Sequence, residues 1–193
     1  MSYKIKMRGK KPPPGFDLIE PGLEAFEQKM KDVMDRPHEG LRKCESQWPI
    51  FRLHWERNRF IYEAYYREEK ISRKLFEYLV NVKIADGPLI AKWRQPGFEL
   101  LCSMGAIQKA STNFGTTSIC RVPAFKRGGG IGPCVSTGCI TCVSGEGING
   151  GPRWWTDSPP ERKTKGGKKR DKPDEPELDD DVAARLAKLT GGD

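Results

Sequence analysis

Five of the six cysteines fall in one stretch: Cys102, then after seventeen residues Cys120, after thirteen Cys134, after four Cys139 and after two Cys142. The last three occupy a glycine-bearing knuckle, Pro133-Cys134-Val135-Ser136-Thr137-Gly138-Cys139-Ile140-Thr141-Cys142. Tetrahedral zinc takes four ligands at about 2.3 Å from sulfur, and short C-x(2–4)-C pieces supply two of them from one turn. The knuckle offers three thiolates, so Cys102 or Cys120 has to close the shell. A glycine beside such a turn permits positive φ and lets backbone N–H groups approach the sulfurs. The spacing therefore predicts one bound zinc ion among Cys102, Cys120, Cys134, Cys139 and Cys142, or none if the thiols stay unliganded. Disulfides are the further alternative, and the odd count of cysteines in the cluster speaks against complete pairing. Cys44 stands alone and reads as a small apolar residue.

A second chemistry lies in the charge. The net charge is +8, and residues 1–151 carry all of it, with 24 Lys+Arg against 16 Asp+Glu. Residues 152–193 hold ten of each and cancel. A basic body of this size suits a phosphate-rich partner, because each neutralised phosphate releases counterions. Between residues 41 and 70, Trp48, Phe51, Trp55, Phe60, Ile61 and Tyr65 alternate with Arg42, Lys43, Arg52, Arg57, Arg59 and Arg67. Such interleaving can stack bases and hold phosphates, but on an amphipathic helix it equally gives a buried aromatic face and a wet basic one. Arg73 and Lys74 follow, and Arg121, Lys126 and Arg127 flank the glycines at 128–130. The candidate nucleic-acid contacts, which the resemblance described below makes RNA contacts, are accordingly Arg42, Lys43, Arg52, Arg57, Arg59, Arg73, Lys74, Arg121, Lys126 and Arg127. Backbone positioning is expected of them, since nothing in the sequence supplies a base-reading code.

The elements that must position these groups are mainly helical. Residues 1–14 have too little apolar surface to fold alone and read as a disordered basic arm ending in Pro12-Pro13-Pro14. From residue 15 to 36 the pattern is helical, with Pro21 in the first turn and Leu23, Phe26, Met30, Val33 and Met34 on one stripe until Pro37. A second helical region covers residues 41–70, beginning afresh near Pro49. Ser72 caps a third over 73–85, and Pro88 opens a short fourth through Trp93. Residues 15–100 thus form a helical domain, and 101–145 an irregular cysteine-bearing, degenerate zinc-finger-like module too poor in apolar residues to hold together alone. Residues 146–193 read as a low-complexity tail, with acid-first, base-last ordering that allows a short helix over 180–189.

No apolar run approaches the ~18 residues of a membrane span, and the first residues lack an apolar signal core, so cytosol or nucleus is expected. No membrane partner or small-molecule substrate is indicated. Catalysis has little support: His38 and His54 are the only histidines, and neither adjoins a nucleophile motif. A redox role for Cys139-x-x-Cys142 calls for a helix start beside a strand.

Longer segments carry a resemblance. Gly15-Phe16-Asp17-Leu18-Ile19-Glu20-Pro21, Pro37-His38-Glu39-Gly40, Glu45-Ser46-Gln47-Trp48-Pro49-Ile50-Phe51-Arg52, Ile71-Ser72-Arg73, Leu89-Ile90-Ala91-Lys92-Trp93, Thr112-Asn113-Phe114-Gly115-Thr116 and Ile119-Cys120-Arg121-Val122-Pro123 occur in unbroken order. Over about residues 3–145 the chain resembles the G-ten, or Bud-thirty-one, family of pre-mRNA splicing factors. The resemblance implies a nuclear, non-catalytic component of the spliceosome, near its catalytic RNA and large core scaffold protein, associated with NineTeen-Complex-related proteins and bridging protein and RNA. It also implies a zinc cluster after the helical domain. The alternative is a zinc-containing transcription regulator. Where the family carries further cysteines, this chain has Ser103, Ala106, Ser118 and Thr137. None of these replaces a structural thiolate, which favours one zinc ion over several.

Overall fold

The computed structural model describes residues 3–7, 9–112, 115–128 and 132–157. The segment expected as a helix over 180–189 lies outside them.

Local signals place the helices. Helix α1 spans Tyr3–Lys6, in the arm expected to be disordered: Tyr3 is buried with its ring 6.4 Å from that of Phe16, and Lys6 Nζ donates to the Lys83 carbonyl at 2.6 Å, contacts with distant residues that composition does not reveal. Helix α2 spans Glu20–Met34 with a proline in its first turn, and turns Leu23 and Val33 inward. Helix α3, Trp48–Tyr66, also opens on a proline and follows a 3₁₀ turn over Glu45–Gln47. The basic, aromatic-rich region therefore begins afresh at Pro49, where the missing N–H costs no helical hydrogen bond.

Helix α4 spans Arg73–Asn81, and Ser72 caps it by accepting from the Leu75 N–H at 3.3 Å. The pattern predicted a run to residue 85, but the chain turns at Lys83, whose φ is +60°. There Ile84 N–H donates back to the Leu79 carbonyl at 2.9 Å, which ends the helix by satisfying a last-turn acceptor. Helix α5, Gly87–Trp93, starts at Asp86, whose carboxylate accepts from the Leu89 N–H at 3.1 Å.

Helix α3 is the axis of the core. Its Trp55, Asn58, Ile61 and Ala64 are buried, along with Leu75 and Leu79 of α4 and Leu89, Ile90 and Trp93 of α5. Asn58 is fully buried, and its amide is satisfied: Nδ2 donates to the His54 carbonyl at 2.8 Å and Oδ1 accepts from Asp86 N–H at 2.6 Å. The aromatics of this helix are thus structural for the most part. Two indoles, Trp55 and Trp93, donate to the single carbonyl of Leu101 at 3.1 and 2.9 Å. Those bonds fix the backbone one residue before Cys102.

Beyond Leu101 the chain proceeds through short 3₁₀ turns at Met104–Ala106, Lys109–Ser111, Ile119–Arg121 and Ala124–Lys126. Strand β1, Cys139–Thr141, pairs antiparallel with β2, Arg153–Trp154, with Cys139 opposite Trp154. Residues 146–157, grouped with the tail on composition, therefore close this module: Trp154 is 3% exposed, and Trp155 lies 5.6 Å from the ring of Trp48. Adjacent tryptophans are the one signal in that stretch that distinguishes it from the charged blocks after it.

Candidate metal centre

The knuckle forms by its own hydrogen bonds. Gly138 N–H and Cys139 O close onto Cys134, with Gly138 N to Cys134 O at 2.7 Å and Cys134 N to Cys139 O at 2.8 Å. Gly138 takes φ +70°, and a Cβ there would sit 2.6 Å from Trp48 Cγ and 2.8 Å from Trp155 Cε3. Glycine is required for both reasons. The Trp48 indole donates to the Val135 carbonyl at 2.8 Å, which holds the knuckle against the start of α3. Cys120 arrives on the 3₁₀ turn 119–121, and its carbonyl accepts from Cys142 N–H at 3.1 Å.

The sulfurs of Cys102, Cys120, Cys139 and Cys142 all lie within 4.8 Å of one another, and all four residues are at most 1% exposed. All six cysteines are free. Sulfur pairs Cys102–Cys120 and Cys120–Cys142 are both 3.9 Å apart, far beyond a bonded disulfide length of about 2.05 Å. Four sulfurs at about 2.3 Å from one tetrahedral ion lie ~3.8 Å from each other. The observed edges fit that figure, and the donor set is thiol throughout, the chemistry of a closed structural site with no open position. Both cysteines far from the knuckle belong to this set.

Cys134 does not join the four. Its sulfur lies 3.3 Å from Ser136 Oγ, and it borders a cavity of about 480 Å³ shared with Cys44, Phe51 and Ser118. Hydrogen bonds to Cys120, then Ser136 and Ser118, pull its thiol down to about 4. Within the four, crowding divides the protons. Hydrogen bonds from Cys102, Cys120 and Cys139 push Cys142 toward thiolate, whereas hydrogen bonding with Cys102 and its other neighbours holds Cys120 protonated. Burial, then Cys102, raises Cys139. A bound cation would displace the protons that remain.

The residues that stand where the resembling family has cysteine border this centre. Thr137 Oγ1 is 4.0 Å from Cys102 Sγ, and it accepts from Cys139 N–H at 3.4 Å. Ser118 is buried and donates its N–H to the Ala106 carbonyl at 2.8 Å, with Ala106 itself 1% exposed. Ser103 caps the turn at 104–106 through Gly105 N–H at 3.2 Å. The Thr137 and Ser103 hydroxyls accept from main-chain N–H groups and Ala106 offers no side-chain donor atom, so none of these adds a thiolate to the four.

The basic candidates divide by where their nitrogens go. Lys43, Arg73 and Lys74 are exposed, Arg73 pairing with Glu77 one turn on at 2.8 Å. Arg42 is exposed as well and bonds Glu45. Lys126 is exposed, 5.7 Å from the ring centre of Phe125. The others turn inward. Arg52 reaches Glu56 at 2.9 Å and Thr156 at 2.6 Å. The Arg59 guanidinium lies 4.8 Å from the Tyr62 ring and 5.6 Å from that of Trp93, with Glu63 at 3.1 Å. Arg57 is half-buried, and desolvation lowers its pKa. Arg127 donates to the carbonyls of Val122 at 2.8 Å and Ile140 at 2.7 Å. Arg121 bonds the Cys142 carbonyl and, at 2.7 Å, that of Gly97. Composition identified these residues as cations, but only packing shows which of them face outward.

The fold and the site define a class: a small helical domain with a buried thiol centre built on its C-terminal side. The chain belongs to the family described as Pre-mRNA-splicing factor BUD31, whose profile matches residues 1–144. It is 46% identical to the Protein BUD31 homolog of Caenorhabditis elegans, covering 74% of this chain and 97% of that protein. Pre-mRNA-splicing factor BUD31 of Saccharomyces cerevisiae is 42% identical over 73% of this chain and 98% of its own length. Pre-mRNA-splicing factor cwf14 of Schizosaccharomyces pombe is 45% identical over 71% and 94%. No helix among the described residues is long and apolar enough to cross a membrane.

Proposed function

We propose that this protein acts in pre-mRNA splicing in the nucleus, as a non-catalytic structural component of the spliceosome that bridges protein and RNA near the catalytic core. The observation that carries the reading is family membership over residues 1–144, a span that takes in the helical domain and all five clustered cysteines. Its relatives in two yeasts are named as pre-mRNA-splicing factors. Cys102, Cys120, Cys139 and Cys142 hold one zinc ion, whose task is structural: it joins turns that carry too little apolar surface to close by themselves. Among the candidates, Arg42, Lys43, Arg73, Lys74 and Lys126 are exposed and can meet phosphates, Arg42 and Arg73 by exchanging their carboxylate neighbours, and the inward-facing arginines hold the surface that carries them.

The test is affinity purification of the tagged full-length protein from nuclear extract, with sequencing of the RNA and mass spectrometry of the proteins recovered. Spliceosomal RNAs together with core splicing proteins, retained at moderate salt, are the expected result. Recovery of chromatin or transcription proteins without those RNAs would replace splicing with a regulatory role.

A further inference from the structure

We propose that Phe125 is a stacking platform for one unpaired nucleobase of a single-stranded RNA, an assignment that rests on the RNA-contact reading above. Phe125 is 81% exposed, the highest value of any large hydrophobic among the described residues. It is not carried on a loose loop. Lys126 N–H bonds the Pro123 carbonyl at 3.0 Å, Arg127 N–H the Ala124 carbonyl at 3.2 Å, and Ala124 N–H the Glu146 carboxylate at 2.9 Å. The Arg127 guanidinium then ties the turn to Val122 and to Ile140 of β1. Of the three cations in this stretch, Arg121 and Arg127 donate to carbonyls of the protein itself, so what the turn presents outward is Phe125 with Lys126 beside it.

Charge selects the occupant. Residues 101–145 contain no Asp or Glu, and four Lys or Arg: Lys109, Arg121, Lys126 and Arg127. The neighbouring carboxylate of Glu146 is engaged by Ala124 N–H and by the Thr141 hydroxyl at 2.7 Å. An exposed apolar ring carried on a hydrogen-bonded turn in a cationic stretch matches a polyanion whose bases have free faces. It matches a duplex poorly, because bases already stacked and paired have no face to offer. A turn whose main chain is already fixed carries no backbone ordering cost into binding.

The experiment measures binding of the zinc-loaded full-length chain to a labelled oligouridylate and to an RNA duplex of equal length, across a salt series. Phe125→Leu keeps the apolar volume without the ring. It is expected to weaken oligouridylate binding about tenfold, within the range for loss of one stacked base. Duplex binding and the salt slope stay unchanged, since every phosphate-facing cation is kept. Phe125→Trp is expected to restore single-strand affinity. A wild-type chain that binds oligouridylate while Phe125→Leu binds it equally well overturns the stacking role and leaves the RNA-contact reading standing. Absence of wild-type binding to both probes at low salt defeats the RNA-contact reading, and stacking with it. Normal binding of both RNAs by Phe125→Leu, with loss of a protein from the purified complex, assigns the ring to a protein contact instead.

Discussion

Arg121 donates to Cys142 twice, through its guanidinium to the main-chain carbonyl and to the sulfur at 3.6 Å, while its second nitrogen reaches the Gly97 carbonyl at 2.7 Å. The same group lies 4.9 Å from the Phe98 ring centre. One side chain thus fastens the end of the helical domain to a sulfur of the four-thiol cluster. Four thiolates around a divalent cation leave two negative charges in a dry site, so a neighbouring cation that also donates a hydrogen bond to sulfur stabilises the loaded state.

Arg121→Gln is expected to weaken zinc retention by roughly tenfold or more, the usual cost of losing such a partner. Competition with a chromogenic chelator measures it. Arg121→Lys keeps the charge but not the fork, and should fall between the two chains. Equal retention in all three would show that the contact is merely architectural.

Removing ligands separates the four thiols from the fifth. Cys139→Ser or Cys120→Ser is expected to abolish stoichiometric zinc, whereas Cys134→Ser keeps about one ion per chain by the set of ligands proposed above. Elemental analysis of the purified chains decides it. On the zinc reading proposed above, chelation of the wild type should lower its thermal midpoint, because an ion on these thiolates would hold the 102–142 module closed.

Charge reversal tests the division of the basic residues. Lys43→Glu and Lys74→Glu are expected to weaken RNA binding and to make its salt dependence shallower, by about one unit of slope for each phosphate that is no longer neutralised. Arg59→Glu should instead destabilise the fold, since its side chain is only 11% exposed and its charge faces three aromatic rings. Urea denaturation distinguishes the two outcomes.

His54 gives a pH dependence of defined sign. Burial first, then the Arg57 charge, holds its pKa below the ordinary 6.5, with Asp86 pulling the other way and Lys6 adding to the depression. The unfolded chain therefore binds a proton more readily than the folded one, so stability falls as pH drops from about 6.5 toward the lower folded value and is unaffected above. Urea denaturation of wild type and His54→Gln across this window should show the shallower slope in the variant. Both chains keep the thiol centre, so acid release of metal cancels in the comparison.

Much of the helical domain was fixed by neighbours in the sequence. Prolines at 21, 49 and 88 and the cap at Ser72 mark helix starts, because they satisfy or dispense with N–H groups within three or four residues of themselves. The end of α4 was less legible: Lys83 adopts positive φ without being glycine, and only packing of Ile84 and Ala85 against the core requires it. Cysteine types and the knuckle glycine pointed to a thiol centre, since ligand chemistry resides in the side chains themselves. Which four sulfurs converge was decided by tertiary structure. Cys102 meets Cys120 across eighteen positions because two indoles pin Leu101, and Cys142 meets Cys120 across twenty-two because Arg121 and a backbone bond draw them together. The same distinction governs the cations: sequence supplies a charge, but whether Arg59, Arg121 and Arg127 face solvent or the interior depends on carbonyls and rings that reach them only once the chain has folded.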